Sequence, residues 1–147
     1  MTSRFQPPPI IKAAERMAVE IENAVRRFAR YHRYQIGSDL RARAQQVFIN
    51  ANNAWRERAD QARWVAVLVR DIDALKQLLQ IGKGVGAFAS FRQFEMLIRL
   101  AEQLGSQAGG WRRHLASSSH AQNAQADGAA QRGKKLSTRT ALAGANS

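Results

Sequence analysis

Residues 64–86 read WVAVLVRDIDALKQLLQIGKGVG, and this stretch decides the fold class. Its large apolar residues recur at alternating intervals of three and four, as on one face of an α-helix. That face consists of Val65, Leu68, Ile72, Leu75 and Leu79. Three glycines follow within the five residues 82–86 and can supply left-handed turns. The stretch therefore predicts an amphipathic helix that ends in the segment IGKGVG.

The same periodicity occurs on both sides of this stretch, so we predict four helices. Pro9 suits the first residue of helix one, which should run from about Ile10 to Arg33, because the first helical position needs no N–H group. Helix four should end near Trp111 or Leu115. Predicted N-caps of helices two, three and four are Ser38, Asp60 and Ser90.

No segment alternates apolar and polar residues in the manner of a strand. Four helices of roughly 22 residues, each about 33 Å long, joined by short loops predict an all-α fold. The expected architecture is an antiparallel up-down-up-down four-helix bundle that occupies residues 8–115. Residues 116–147 hold few large apolar side chains, so we expect them to form a disordered basic C-terminal tail.

The composition restricts the partners and the location of the chain. A net charge of +12 over 147 residues favours polyanionic partners, either nucleic acid or an anionic membrane. The absence of cysteine excludes disulfides and thiolate chemistry and suits a reducing cytoplasm. The longest apolar run, WVAVLV at residues 64–69, is too short to span a bilayer, and the N-terminus does not resemble a signal peptide. We therefore expect a soluble cytoplasmic protein.

The positive charge is concentrated in residues 26–43, RRFARYHRYQIGSDLRAR, which hold six arginines, one histidine, three aromatic residues and one acid. Arginines in such a cluster can bind phosphates, while Tyr31 and Tyr34 stack on unpaired bases. The alternative is that the arginines only solvate an outer helix face and the tyrosines pack as loop anchors. The predicted nucleic-acid contacts are Arg26, Arg27, Arg30, Arg33, Arg41 and Arg43.

Helix four has more apolar surface than one seam requires. Its main stripe is predicted at Phe91, Phe94, Ile98, Ala101 and Ala108. A second set of apolar residues lies on a flank about 80° from that stripe at 100° per residue. We expect this flank to be the interface of a homo-oligomer, although a wide core stripe is the alternative. The predicted interface residues are Leu97, Leu100, Leu104 and Trp111.

The sequence gives little indication of catalysis. None of His32, His114 and His120 has a carboxylate or a second histidine at i+3 or i+4 to form a metal pair. Neighbouring acids such as Asp71 and Asp73 are two residues apart and cannot share a helix face. The glycines of residues 82–86 do not fit a phosphate-binding loop. We therefore expect a protein that is not an enzyme and that uses no metal and no cofactor.

Three segments resemble a known family: RYQIGSDLR at residues 33–41, VRDIDALKQLLQIGK at residues 69–83, and FASFRQFEMLIRLAEQLGSQAGGW at residues 88–111. Together they are similar to the accessory variability determinant proteins of diversity-generating retroelements. That family belongs with the four-helix-bundle proteins encoded in intervening sequences of bacterial 23S ribosomal RNA genes. The resemblance covers about residues 8–113.

The resemblance implies a non-enzymatic partner of a reverse transcriptase. Such proteins form a basic homopentamer of four-helix bundles, bind the reverse transcriptase and its template-repeat RNA or cDNA, and support mutagenic retrohoming. Two alternatives stay open. One is a four-helix-bundle protein of the ribosomal intervening-sequence type with a structural or RNA-binding role. The other is a peripheral membrane protein that uses a basic amphipathic helix.

Overall fold

The computed structural model describes the backbone of residues 6–145 and the side chains of residues 6–119, and every regular element in that part of the chain is helical. The predicted all-α class is therefore confirmed. The elements are α1 (Pro9–Arg26), α2 (Arg30–Tyr34), α3 (Ile36–Arg56), a 3-10 turn (Arg58–Asp60), α4 (Gln61–Gly84) and α5 (Phe91–Ala145). The chain divides into two units, Met1–Arg112 and Arg113–Ser147.

The core of the first unit is built from the apolar faces of α1, α3, α4 and α5. All five residues of the predicted α4 stripe are fully buried, so the periodicity of residues 64–86 identified the core face correctly. Each such aliphatic side chain contributes about 1.5 to 3 kcal/mol relative to an exposed position. Their neighbours in the core include Met17 and Ile21 of α1 and Leu40 and Val47 of α3.

The first helix is shorter than predicted. α1 ends at Arg26 instead of continuing to Arg33, and the backbone is extended at Ala29 before α2 begins. Phe28 lies in this break and is buried, with its ring edge-on to Phe88 at a centroid distance of 5.2 Å. The aromatic pair closes this end of the core, which is a long-range contact that helical periodicity does not reveal.

The predicted caps have different outcomes. Ser38 is not an N-cap: it lies inside α3, and its Oγ donates to the carbonyl oxygens of Tyr34 (3.3 Å) and Arg33 (3.4 Å), which fastens α2 to α3. Asp60 directly precedes α4 but makes no capping hydrogen bond. Ser90 is confirmed as a cap, because its Oγ accepts a hydrogen bond from the backbone N–H of Gln93 at 3.2 Å.

The glycine-rich end of α4 forms the predicted left-handed turn. Gly86 has a φ of 71°, and no other described residue has a positive φ. The N–H of Gly86 donates to the carbonyl of Lys83 (3.1 Å), and that of Ala87 donates to the carbonyl of Gly82 (2.9 Å). This pair of bonds is a Schellman motif, which satisfies carbonyl groups at the end of the helix and redirects the chain into α5.

The prediction of a disordered tail is not confirmed, because α5 continues through Ala145. Residues 116–147 contain no proline and nine alanine residues, and alanine favours helical backbone even where no apolar face is present. The scarcity of large apolar residues concerns tertiary packing and does not decide the backbone conformation. The side chains from His120 onward lie outside the described residues.

Candidate nucleic-acid interface

An open groove of about 1030 Å³ lies between α1 and the first part of α5. Its basic lining residues are Arg16, Arg26, Arg27, Arg92 and Arg99. Two carboxylates, those of Glu20 and Glu95, also line it, so positive charge predominates. A groove walled by low-dielectric protein focuses such charge and raises the local concentration of anions.

Most of this charge is not neutralised locally. Arg99 lies near Glu95, with 3.6 Å between Nη2 and Oε1, and this pair is weak because Arg99 is largely exposed and Glu95 is partly exposed. The other four groove arginines have no ion-pair partner among the residues whose side chains are described. A guanidinium group stays charged and presents several N–H donors in a plane, which suits phosphate oxygens.

The six arginines predicted as nucleic-acid contacts have different environments in the structure. Arg26 and Arg27 line the groove. Arg30 is exposed on α2 and does not line it. Arg33 makes contacts within the chain: its Nη2 donates to the carbonyl oxygens of Arg26 and Phe28, each at 3.3 Å. It thereby satisfies carbonyl groups at the end of α1 and holds α2 beside that end.

The last two predicted contacts, Arg41 and Arg43, form ion pairs that link helices. Arg41 Nε lies 2.7 Å from Oε1 of Glu22 and links α3 to α1. Arg43 Nη1 donates to Oδ1 of the buried Asp71 at 2.8 Å and links α3 to α4. These partners are distant in sequence, 19 residues away for Arg41 and 28 for Arg43, so the local pattern of charges could not identify them.

The oligomer interface predicted on helix four stays a prediction, but most of its residues lie in the core of the single chain. Leu97, Leu100 and Leu104 are buried in the core of a single chain, and Trp111 is half-buried against it. The apolar residues of α5 form one seam with alternating spacings of three and four, which runs between the two stripes that the sequence suggested. The buried positions of that seam are Phe94, Leu97, Ala101, Leu104 and Ala108. The wide core stripe, the alternative interpretation, is the one that the structure supports.

The two tyrosines of α2 are exposed and do not pack as loop anchors. Tyr31 is 73% exposed and Tyr34 is 65% exposed. The ring of Tyr31 meets that of His32 edge-on at 5.3 Å. Since Arg33 and Ser38 fasten α2 to its neighbours, the tyrosines are presented on an anchored element next to the end of α1.

Sequence reasoning missed three of the groove arginines, Arg16, Arg92 and Arg99. Arg92 and Arg99 are seven residues apart and so share a face of α5, which was a usable signal within that helix. Arg16 had no such signal, because Asn23, seven residues later, is uncharged. Only the tertiary contact between α1 and α5 shows that the two faces form one groove.

Comparison of the chain with protein-family models, curated proteins and solved structures finds no match. In the described part of the chain, no helix combines the length and the apolar character needed to cross a bilayer. Among those same residues, no three His, Cys, Asp or Glu side chains are grouped to hold a metal ion.

Proposed function

We propose that this protein is a non-enzymatic accessory factor of a diversity-generating retroelement. In this proposal it binds the template-repeat RNA or cDNA, associates with the reverse transcriptase in the cytoplasm, and supports mutagenic retrohoming. Its four long helices form an antiparallel bundle. The resemblance of residues 33–41, 69–83 and 88–111 to the accessory variability determinant family supports the retroelement role.

The observation that carries the nucleic-acid role is the groove with four arginines that lack ion-pair partners among the described side chains. From Arg16 to Arg26, α1 rises about 15 Å, which is the axial length of roughly four nucleotides of one strand in duplex geometry. The groove can thus contact several successive phosphates. Binding that depends on such contacts releases counterions and weakens as salt rises.

Self-association is part of the proposal, and the resemblance implies a homopentamer. The interface must lie elsewhere than on the buried face of α5. Several large apolar side chains on other helices are about half exposed and could contribute to contacts between copies. They are Val19 of α1, Ile49 of α3, Ile81 of α4 and Val85 at the end of α4. Light scattering at micromolar concentration tests this part directly, and a monomer would contradict it.

Charge reversal in the groove tests the nucleic-acid role. The triple variant Arg26→Glu, Arg27→Glu, Arg92→Glu replaces attraction for phosphates with repulsion at three groove positions. We expect its affinity for template-repeat RNA at low salt to fall about 100-fold to 1,000-fold. Fluorescence anisotropy of end-labelled RNA measures the change.

A matched control reverses the same number of positive charges outside the groove. Arg56, Arg58 and Arg70 are exposed and do not line the groove. The triple variant Arg56→Glu, Arg58→Glu, Arg70→Glu has the same net charge, and we expect it to lose less than about tenfold in affinity. Equal losses in the two variants would show that only net charge matters and would contradict the groove as the binding site.

The retroelement role has its own test. We expect the full-length chain to co-purify with the reverse transcriptase encoded beside it. The same locus should contain two near-identical repeats that differ at adenines. A locus without a reverse transcriptase gene would contradict this part of the proposal and leave the groove as an RNA-binding site of another kind of helical protein.

A further inference from the structure

Two neighbouring tyrosines on α2 are exposed without a role in the fold. Tyr31 and Tyr34 are 73% and 65% exposed, and neither is part of the hydrophobic core. They are three residues apart on a helix, so they lie on the same side, separated by about 4.5 Å along the axis. Arg30, on the same helix, is also exposed. An aromatic pair beside cationic side chains is the composition of sites that bind single-stranded nucleic acid.

The element that carries these rings is held in place on both sides. The guanidinium group of Arg33 donates to the carbonyl oxygens of Arg26 and Phe28 at the end of α1. The hydroxyl of Ser38 donates to carbonyl oxygens of α2 from the α3 side. Because α2 is already held in place, it loses less conformational entropy on binding than a mobile loop would.

Helix α2 lies next to the end of α1 that carries the groove residue Arg26. Arg26 lines the groove, and its backbone carbonyl accepts a hydrogen bond from Arg33, which lies between the two tyrosines in sequence. At 100° per residue, Tyr31 and Tyr34 lie on the side of α2 away from Arg33. In this inference, a strand that leaves the groove beside Arg26 passes over α2. There, unpaired bases can lie on the tyrosine rings. Bases of a duplex are paired and stacked on each other, and their faces are not accessible to a side chain.

We propose that α2 makes the protein selective for single strands, with Tyr31 and Tyr34 stacking on two unpaired bases while the groove arginines bind the adjoining phosphates. This inference rests on the proposed nucleic-acid function of the groove and adds the class of substrate. Stacking does not depend on base identity, so the protein should prefer single strands to duplexes without preferring a particular base sequence. Single-stranded RNA and single-stranded cDNA share this chemistry.

The test compares two double variants of the full-length chain. Tyr31→Ala with Tyr34→Ala removes both rings, whereas Tyr31→Phe with Tyr34→Phe keeps them and removes only the hydroxyls. The probes are a labelled 15-nucleotide single-stranded RNA, the DNA of the same sequence, and the RNA duplex. We expect the alanine variant to lose about 30-fold to 100-fold in affinity for both single strands and less than threefold for the duplex. The phenylalanine variant should stay within about threefold of the wild type on every probe.

Several outcomes would overturn the inference. One is an alanine variant that binds single strands as tightly as the wild type. Another is an equal loss on single strands and duplex, which would indicate a general disturbance of the surface. A third is unchanged RNA binding with loss of reverse transcriptase co-purification, which would assign the tyrosines to a protein partner.

The test also separates this inference from the proposed function. If the wild type binds none of the probes, the groove proposal fails. If the groove triple variant loses affinity for all probes while the alanine variant changes nothing, only the role of the tyrosines fails. Thermal unfolding of each variant checks that the exposed substitutions leave the fold intact.

Discussion

At the scale of single residues, Asp71 of α4 is the clearest determinant of helix pairing. It is the one carboxylate that is buried among the described side chains. Its oxygens accept hydrogen bonds from Arg43 and Asn50 of α3, and Gln46 in turn donates to the side-chain oxygen of Asn50 at 3.2 Å. Among the described residues, every buried side-chain N or O atom has a hydrogen-bond partner, including those of this network. The network therefore fixes how α3 and α4 align.

We predict that Asp71→Ala lowers the free energy of unfolding by about 1 to 3 kcal/mol, because it leaves the buried side chain of Asn50 without its acceptor, while the partly exposed Arg43 is solvated by water. Urea denaturation measures the loss. The matched control is Glu22→Ala, which breaks the half-exposed pair with Arg41 and should cost less than about 1 kcal/mol. Equal costs would mean that burial of the network has no special effect.

At the scale of the elements, close packing decides where α3 begins. A Cβ at Gly37 would lie 2.8 Å from Cγ1 of Val25 and 3.0 Å from the carbonyl oxygen of His32. The backbone oxygen cannot move aside as a flexible side chain would. The first turn of α3 thus approaches both α1 and α2 at a position where only hydrogen fits.

We predict that Gly37→Ala destabilises the protein by about 1 to 3 kcal/mol through overpacking. The matched control is Gly84→Ala at the end of α4, where an added Cβ meets no atom within 4 Å. That variant should be neutral or more stable by about 0.5 to 1 kcal/mol, because alanine lowers the entropy of the unfolded chain. Thermal unfolding compares the two, and a Gly37→Ala variant with wild-type stability would refute the packing argument.

The elements also show which parts of the fold were predictable. The α4 stripe, the Ser90 cap and the turn at Gly86 follow from local rules of periodicity, capping and backbone sterics, and all three are present. The end of α1 and the start of α3 depend on contacts of Phe28 with Phe88 and of Gly37 with Val25. Those contacts join residues that are distant in sequence, so no local pattern encodes them.

At the scale of the whole molecule, a chain of net charge +12 has far more cations than its acids can pair. Of the six arginines predicted in residues 26–43, Arg26 and Arg27 line the groove, and three fasten helices to one another, namely Arg33, Arg41 and Arg43. The groove needs arginines from α1 and α5, which are far apart in the chain. Charge composition predicts an anionic partner but does not reveal a groove that two distant helices form.

The salt dependence of RNA binding tests the arginine groove most directly. The variant to compare with the wild type is Arg16→Ala, Arg26→Ala, Arg27→Ala, Arg92→Ala, which removes the four groove arginines that lack ion-pair partners among the described side chains. We predict that the slope of log affinity against log salt concentration becomes shallower by about three units on single-stranded RNA. A slope equal to that of the wild type would contradict phosphate binding in the groove.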